Sequence, residues 1–439
     1  MARALLLALL LATACAAVAA AGRAGDPDGD ADGGPIRRNG NKKPIMLLSG
    51  RFYPGQTRAG TTLPQLMTWP GNAVTVRFSG SDEVSVELDG RMTAVPAADR
   101  WVNTTRSDLP SVVFQFNLDG EVSTAQVTKA EPWLTWNKTG LSLGLHTLTI
   151  TRATEPRYGA VWLRDITLQG SSDEPGGVFV RPPAGPILSS GRRMLFIGDS
   201  YTAGAANAAD KSCKSANAAN SNTLLAYGPV AARALRAEYQ ALGWSVATMN
   251  IYREAAGDVW PPALRRAFWP RVRDFWKRAD ALNPASQYNM ASWVPQVVVM
   301  AAGTNDFANA SISAGNKVVS GDLAKLPSMD DWVDAHEAFV REIAQVYPRA
   351  IIINLVFPLE QQLVGVRTPE QTLAYLQYFA ASSARFQAAR LQNVYTLQLD
   401  GSGFPNTNWC ASHPNVDTHA MIADQLAAFV RRILPSWAA

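Results

Sequence analysis

A chain of 439 residues with 47% hydrophobic and 17% charged side chains can bury two full cores and has the ordinary balance of a soluble globular protein. Lys plus Arg exceeds Asp plus Glu by 40 − 36 = 4, and part of that excess is the short run Arg37-Arg38 and Lys42-Lys43. No nucleic-acid partner is indicated by so small an imbalance.

Met1-Ala2-Arg3 opens an Ala/Leu run through Leu11, followed by small residues to Ala19-Ala20-Ala21-Gly22. A cationic start, a short apolar stretch and a small-residue cleavage pattern predict a secretory signal peptide over residues 1–21. The mature protein is then expected outside the cell or in the cell wall, with no membrane association once the signal is removed. Residues 22–43 are Gly/Asp-rich and then basic, which predicts a disordered leader. Two of the three cysteines, Cys213 and Cys410, survive cleavage; in an oxidising compartment they can pair, but spacing alone cannot show that they meet. Sequons at Asn103, Asn137 and Asn309 are candidate glycosylation sites on such a route.

Over residues 44–170 apolar positions alternate: Val74, Val76 and Phe78; Val84, Val86 and Leu88; Phe114, Phe116 and Leu118; Leu148 and Ile150. Trp69-Pro70-Gly71, Gly80-Ser81 and Asp119-Gly120 punctuate them, so a β-sandwich domain is expected. Residues 171–191 hold Pro175-Gly176-Gly177, Pro182-Pro183 and Pro186 and read as a linker. From 192 to 439 the pattern changes to strand-like runs at Met194–Ile197, Val246–Ile251, Val297–Ala301, Ile351–Val356 and Val394–Leu399, separated by helical stretches. That alternation predicts an α/β domain with a five-stranded parallel sheet. Trp332, Phe339, Val340, Ile343 and Val346 mark the apolar stripe of a helix over 331–347, and 205–222 and 308–327 read as loops after strand ends.

In Phe196-Ile197-Gly198-Asp199-Ser200 an apolar run breaks at a glycine and a serine follows, the place where a parallel sheet offers a nucleophile. Ser200 needs a base. Of the four histidines, His146 falls in the β region and His336 inside a helix, both readable as packing or surface residues, while His419 lies within the last helix. His413 precedes that helix on a loop and can face the same sheet edge as Ser200. Gly303-Thr304-Asn305-Asp306 follows the strand at 297–301; the Asn305 amide can stabilise an oxyanion, and Gly303 permits close backbone approach.

Gly198-Asp199-Ser200, Gly303-Thr304-Asn305-Asp306 and His413-Pro414 resemble three motif blocks of the GDSL/SGNH hydrolases. Gly50-Arg51, Trp69-Pro70-Gly71, Gly144-Leu145-His146-Thr147, Trp244-Ser245 and the run from His413 to His419 are similar to carbohydrate esterase family 2. The resemblance implies a jelly-roll-like β-sandwich followed by a three-layer α/β/α SGNH domain. It implies a secreted serine esterase, working without metal or organic cofactor, that removes O-acetyl groups from xylan- or glucomannan-type polysaccharides or oligosaccharides. Ser200 would form an acetyl-enzyme with His413 as base, the Ser200 N–H and Asn305 would form the oxyanion hole, and Asp199, Gly303 and Asp306 would support them. Alternatives are a sugar O-acetyltransferase using the same pair and a non-catalytic carbohydrate-binding protein. A monomer is expected.

Two departures from the family pattern shape this reading. The position three before His413 is Cys410 where an aspartate is usual, so a Ser-His dyad is expected, with a backbone carbonyl orienting the imidazole. Val246 stands where a glycine usually follows Trp244-Ser245, leaving the second backbone oxyanion donor open between Val246 and Gly257. In this picture a Cys213–Cys410 bridge would tie the loop after Ser200 to the loop carrying His413. Tyr201, Trp260, Phe307 and Trp409 flank the motifs as candidate sugar-stacking faces.

Overall fold

The structure, a computed structural model, describes residues 44–52, 63–91, 110–169, 176–181, 190–210, 213, 215–249, 271–307, 326–358, 369–404, 410 and 413–438. The expected signal peptide and leader, and with them Asn103, Trp260, Asn309 and Trp409, lie outside the described residues. Gly40–Ala439 forms one compact unit.

Ten strands build two antiparallel sheets in its N-terminal part. β1 (Met46–Ser49), β3 (Ala73–Ser79), β8 (His146–Arg152), β5 (Ser111–Leu118) and β6 (Glu121–Thr128) pair in that order, with β10 (Val178–Val180) also on β3. The facing sheet runs β2 (Gln65–Met67), β9 (Val161–Gln169), β4 (Glu83–Asp89) and β7 (Trp133–Thr139). Every apolar residue of the alternating runs points inward: Val74, Val76, Phe78, Val84, Val86, Leu88, Phe114, Phe116, Leu148 and Ile150 are fully buried and Leu118 is buried. Part of the stretch expected as a linker is strand, because Val178–Val180 pairs with Arg77–Ser79 beyond the point where β1 ends.

The C-terminal part holds a parallel sheet in the order β12 (Glu238–Gly243), β11 (Arg193–Gly198), β13 (Val297–Ala301), β14 (Ile351–Val356) and β15 (Val394–Gln398). Among the described residues the helices are α1 (Ser200–Ala203), α2 (Tyr227–Ala234), α3 (Val272–Phe275), α4 (Met329–Val346), α5 (Pro369–Ala388) and α6 (Val416–Ile433). α2 packs on α6 and α4 on α5, as expected when the chain winds both ways from a central first strand.

One expected strand is corrected. The partner of β11 is Glu238–Gly243, eight residues upstream of the apolar run at Val246–Ile251. Its polar residues hid it: Glu238 accepts from Trp293 Nε1 at 3.3 Å, and Gln240 Oε1 accepts from Arg51 Nε at 2.9 Å. At the sheet edge these side chains meet neighbouring elements, so the strand needs no apolar pattern of its own.

The sandwich and the α/β part share apolar surface. Leu66, Trp69 and Ala160 belong to the core built on the parallel sheet. The Trp69 ring lies 5.6 Å from Phe275 and 6.4 Å from Trp244. Arg51, buried to 1% exposure, sends Nη1 to the carbonyls of Trp276 and Arg278 and lies 4.4 Å from the centre of the Tyr288 ring. Trp69→Ala should cost about 3–5 kcal/mol, as for other fully buried large aromatics, read as a lower urea midpoint.

Two histidines are core residues. His336 Nε2 donates to Asn354 Oδ1 at 2.9 Å while Nδ1 accepts from Ser382 Oγ at 3.0 Å, and the Asn354 amide is fixed by donating to Tyr395 O. His419 Nδ1 accepts the Tyr227 N–H at 3.1 Å. Burial pulls His336 down to about 4, opposed by the Asn354 bond; burial and then His413 pull His419 down to about 3. Both are neutral when folded and take up a proton near pH 6.5 when unfolded, so the unfolded chain binds more protons below that pH. Stability should therefore fall as pH drops from about 6.5 towards 4, by up to about 1.4 kcal/mol per unit for each imidazole. Denaturant melts across this range check it, with a shallower slope expected for His336→Asn.

Candidate active site

Ser200 begins α1 directly after β11, at the carboxyl edge of the sheet where the strand order reverses. Gly198 leaves no choice of residue: an added Cβ would lie 2.5 Å from Ala301 O and 2.2 Å from Thr202 Oγ1. Asp199, fully buried, caps the turn by accepting the Tyr201 N–H at 3.0 Å on Oδ1 and receives the Thr304 hydroxyl on Oδ2. One carboxylate thus joins the Ser200 turn to the Gly303–Asp306 turn. Gly204 ends α1 in the left-handed conformation at φ 69°.

Gly303, at φ 111°, turns the chain from β13 into the 3-10 turn Thr304–Phe307. Asn305 is half-buried and donates Nδ2 to Ala247 O at 2.8 Å, while Asp306 Oδ2 accepts the Met249 N–H at 2.7 Å. Both residues hold the segment after β12. That segment is tied to β11 as well, through Trp244 N donating to Gly198 O at 3.2 Å. Val246, where a glycine was expected, takes φ 62°, a left-handed backbone that a β-branched side chain rarely tolerates. The glycine-type conformation survives without the glycine.

His413 is half-buried before α6, whose N-cap Asn415 accepts from Thr418 N at 3.0 Å. The imidazole meets the Tyr201 ring edge-on, with centroids 5.6 Å apart, and Tyr201 rests edge-on against Phe357 at 4.9 Å. The residue after Ser200 therefore touches His413. His413 N donates to Cys410 O at 2.9 Å, and Cys410 is bonded to Cys213 across 197 residues of sequence with Cα atoms 5.5 Å apart. The disulfide joins the loop that follows α1 to the turn that carries His413.

Phe307 was a candidate stacking face and is instead core: it is fully buried, with Trp332, Tyr375 and Tyr378 rings within 5.8 Å. Tyr201 is 5% exposed and holds His413. Asn137 is exposed on β7, its Oδ1 accepting from Ser85 Oγ. Among the described residues no group of three or more His, Cys, Asp or Glu is placed to hold a metal ion, and no helix is long and apolar enough to cross a membrane. Sequence reasoning missed Glu155, fully buried at the end of the sandwich and bonded to Ser245; only a Thr-Glu-Pro turn marked it.

The sequence model of the GDSL-like Lipase/Acylhydrolase family matches residues 196–421, just over half the chain. The chain belongs to this family. This GDSL-like protein is 26% identical over 370 residues to the cellulase/esterase CelE of Acetivibrio thermocellus, covering 83% of the chain but 37% of the relative. It thus spans little over a third of that relative's length. It is 25% identical over 295 residues to an acetylxylan esterase/glucomannan deacetylase of Cellvibrio japonicus, covering 66% of the chain and 68% of the relative. In fold it matches a family two carbohydrate esterase from Clostridium thermocellum, solved with cellohexaose, at a TM-score of 0.65 and 23% identity over 89% of this chain and 99% of the other. The likeness spans the sandwich as well as the GDSL-like part.

Removing the bridge with Cys213→Ser and Cys410→Ser should lower stability by about 2–5 kcal/mol and slow turnover by loosening His413. Thiol labelling of the unfolded, unreduced mature protein should find neither cysteine free.

Proposed function

We propose that this protein is a secreted carbohydrate O-acetyl esterase. The observation that carries the reading is that the turns bearing Ser200 and Asn305 follow adjacent strands of the parallel sheet, while Tyr201, next to Ser200, packs against the His413 ring and a disulfide holds the histidine's turn. The names of the Cellvibrio japonicus and Acetivibrio thermocellus relatives support a carbohydrate ester as substrate.

In this reading Ser200 Oγ attacks the acetyl carbonyl as its proton passes to His413, and the oxyanion is held by the Ser200 N–H and the free N–H of the Asn305 amide. The other Asn305 N–H goes to Ala247 O, which fixes the amide plane. The ester C–O bond breaks, the sugar oxygen takes the proton from the imidazolium, and water attacks the acetyl-enzyme by the reverse path. The enzyme acts as a monomer on acetylated xylan or glucomannan outside the cell, with Asn137 open to glycosylation in a host that attaches glycans.

Acetate release from acetylated xylan and glucomannan tests this. Ser200→Ala and His413→Ala should each lose at least about 10³-fold in kcat. Acetylated acceptor sugar formed without free acetate would instead indicate a transferase, and binding without turnover a lectin-like protein.

A further inference from the structure

Glu155 ends the sandwich's last turn before β9 and is 1% exposed. It stands at the N-cap of the 3-10 turn Pro156–Tyr158 but does not cap it. Both carboxylate oxygens go instead to one residue of the α/β part: Oε1 accepts the Ser245 hydroxyl at 2.5 Å, and Oε2 accepts the Ser245 N–H. A buried carboxylate is costly unless its lone pairs are filled, and two donors from a single residue fix both position and orientation.

The turn presenting Glu155 is itself clamped. Arg152, fully buried, donates to the carbonyls of Thr154, Glu155, Gly159 and Met67, each at 2.7 Å. Arg157 Nε lies 3.9 Å from Glu155 Oε1. Downstream of Ser245 the strain is concentrated, because Val246 is held at φ 62° and Ala247 O then receives the Asn305 amide. The backbone between Glu155 and Asn305 is therefore a single short path: carboxylate, Ser245, left-handed Val246, Ala247 carbonyl, amide.

We propose that Glu155 is a positioning residue for acetyl transfer to Ser200, one that rests on the esterase reading above. Its carboxylate holds the Ser245–Ala247 turn in the left-handed form that orients the Asn305 amide and the neighbouring backbone N–H towards the oxyanion. The sandwich thereby supplies part of the oxyanion wall, and Glu155 does for Val246 what a glycine would do by conformational freedom.

The test is steady-state kinetics on 4-nitrophenyl acetate with Glu155→Gln, Val246→Gly and the double variant, beside Ser200→Ala. Glu155→Gln should lower kcat at least tenfold with KM within twofold, and the double variant should recover kcat at least threefold, because glycine adopts the turn without the carboxylate. A merely structural staple predicts no recovery from Val246→Gly, and that result overturns the proposal. So does a folded Glu155→Gln whose kcat stays within twofold of wild type. If Glu155→Gln does not fold, Ser245→Ala takes its place with the same expected loss and recovery. Activity retained in Ser200→Ala would overturn the esterase reading and this inference together, whereas a dead Ser200→Ala beside an unaffected Glu155→Gln overturns this inference alone.

Discussion

The carboxyl end of the parallel sheet has no room for side chains at two positions, and the site depends on that shortage. A Cβ on Gly198 would strike Ala301 O at 2.5 Å, and one on Gly243 would strike the backbone of Ala203 at 2.5 Å. The ends of β11, β12 and β13 can therefore close around α1 at backbone distance. With the strands so near, short side chains span the gaps: Asp199 reaches Thr304, and Asn305 reaches Ala247. Longer connections would carry more rotamer freedom and fix the turns less well.

The antiparallel sheets join the α/β part physically. Trp69 belongs to the core built on the parallel sheet, and Arg51 sends Nη1 to carbonyls of the α/β part and lies against an aromatic face. Buried polar groups of this kind add specificity of docking, because a shifted interface would leave a guanidinium without partners. Glu155 extends the same interface to the turn at Ser245. The sandwich is in contact with the scaffold of the site.

Period-2 alternation placed the core strands of the sandwich, since residues such as Val74, Val76 and Phe78 must alternate where only one face of a strand meets the core. Three strands of the parallel sheet, β11, β13 and β14, were legible as apolar runs for the complementary reason, that central strands are covered on both faces, and β15 was legible at the far edge of the sheet. β12 was not, because Glu238 and Gln240 at the sheet edge find partners distant in sequence. β6 was equally silent, with most of its residues exposed or half-exposed.

Local chemistry in the sequence determined the turns after β11 and β13 and marked Ser200, Asn305 and His413 as candidates. A glycine before a serine at a strand end, or an asparagine after a glycine, is a short-range signal. The tertiary structure alone decided the Cys213–Cys410 pairing, the burial of Phe307, the left-handed Val246 and the engagement of Ser245 by Glu155. Each joins residues far apart in the chain or depends on what encloses a side chain, and such contacts leave no local pattern because the forces that set them act through space after the chain has folded.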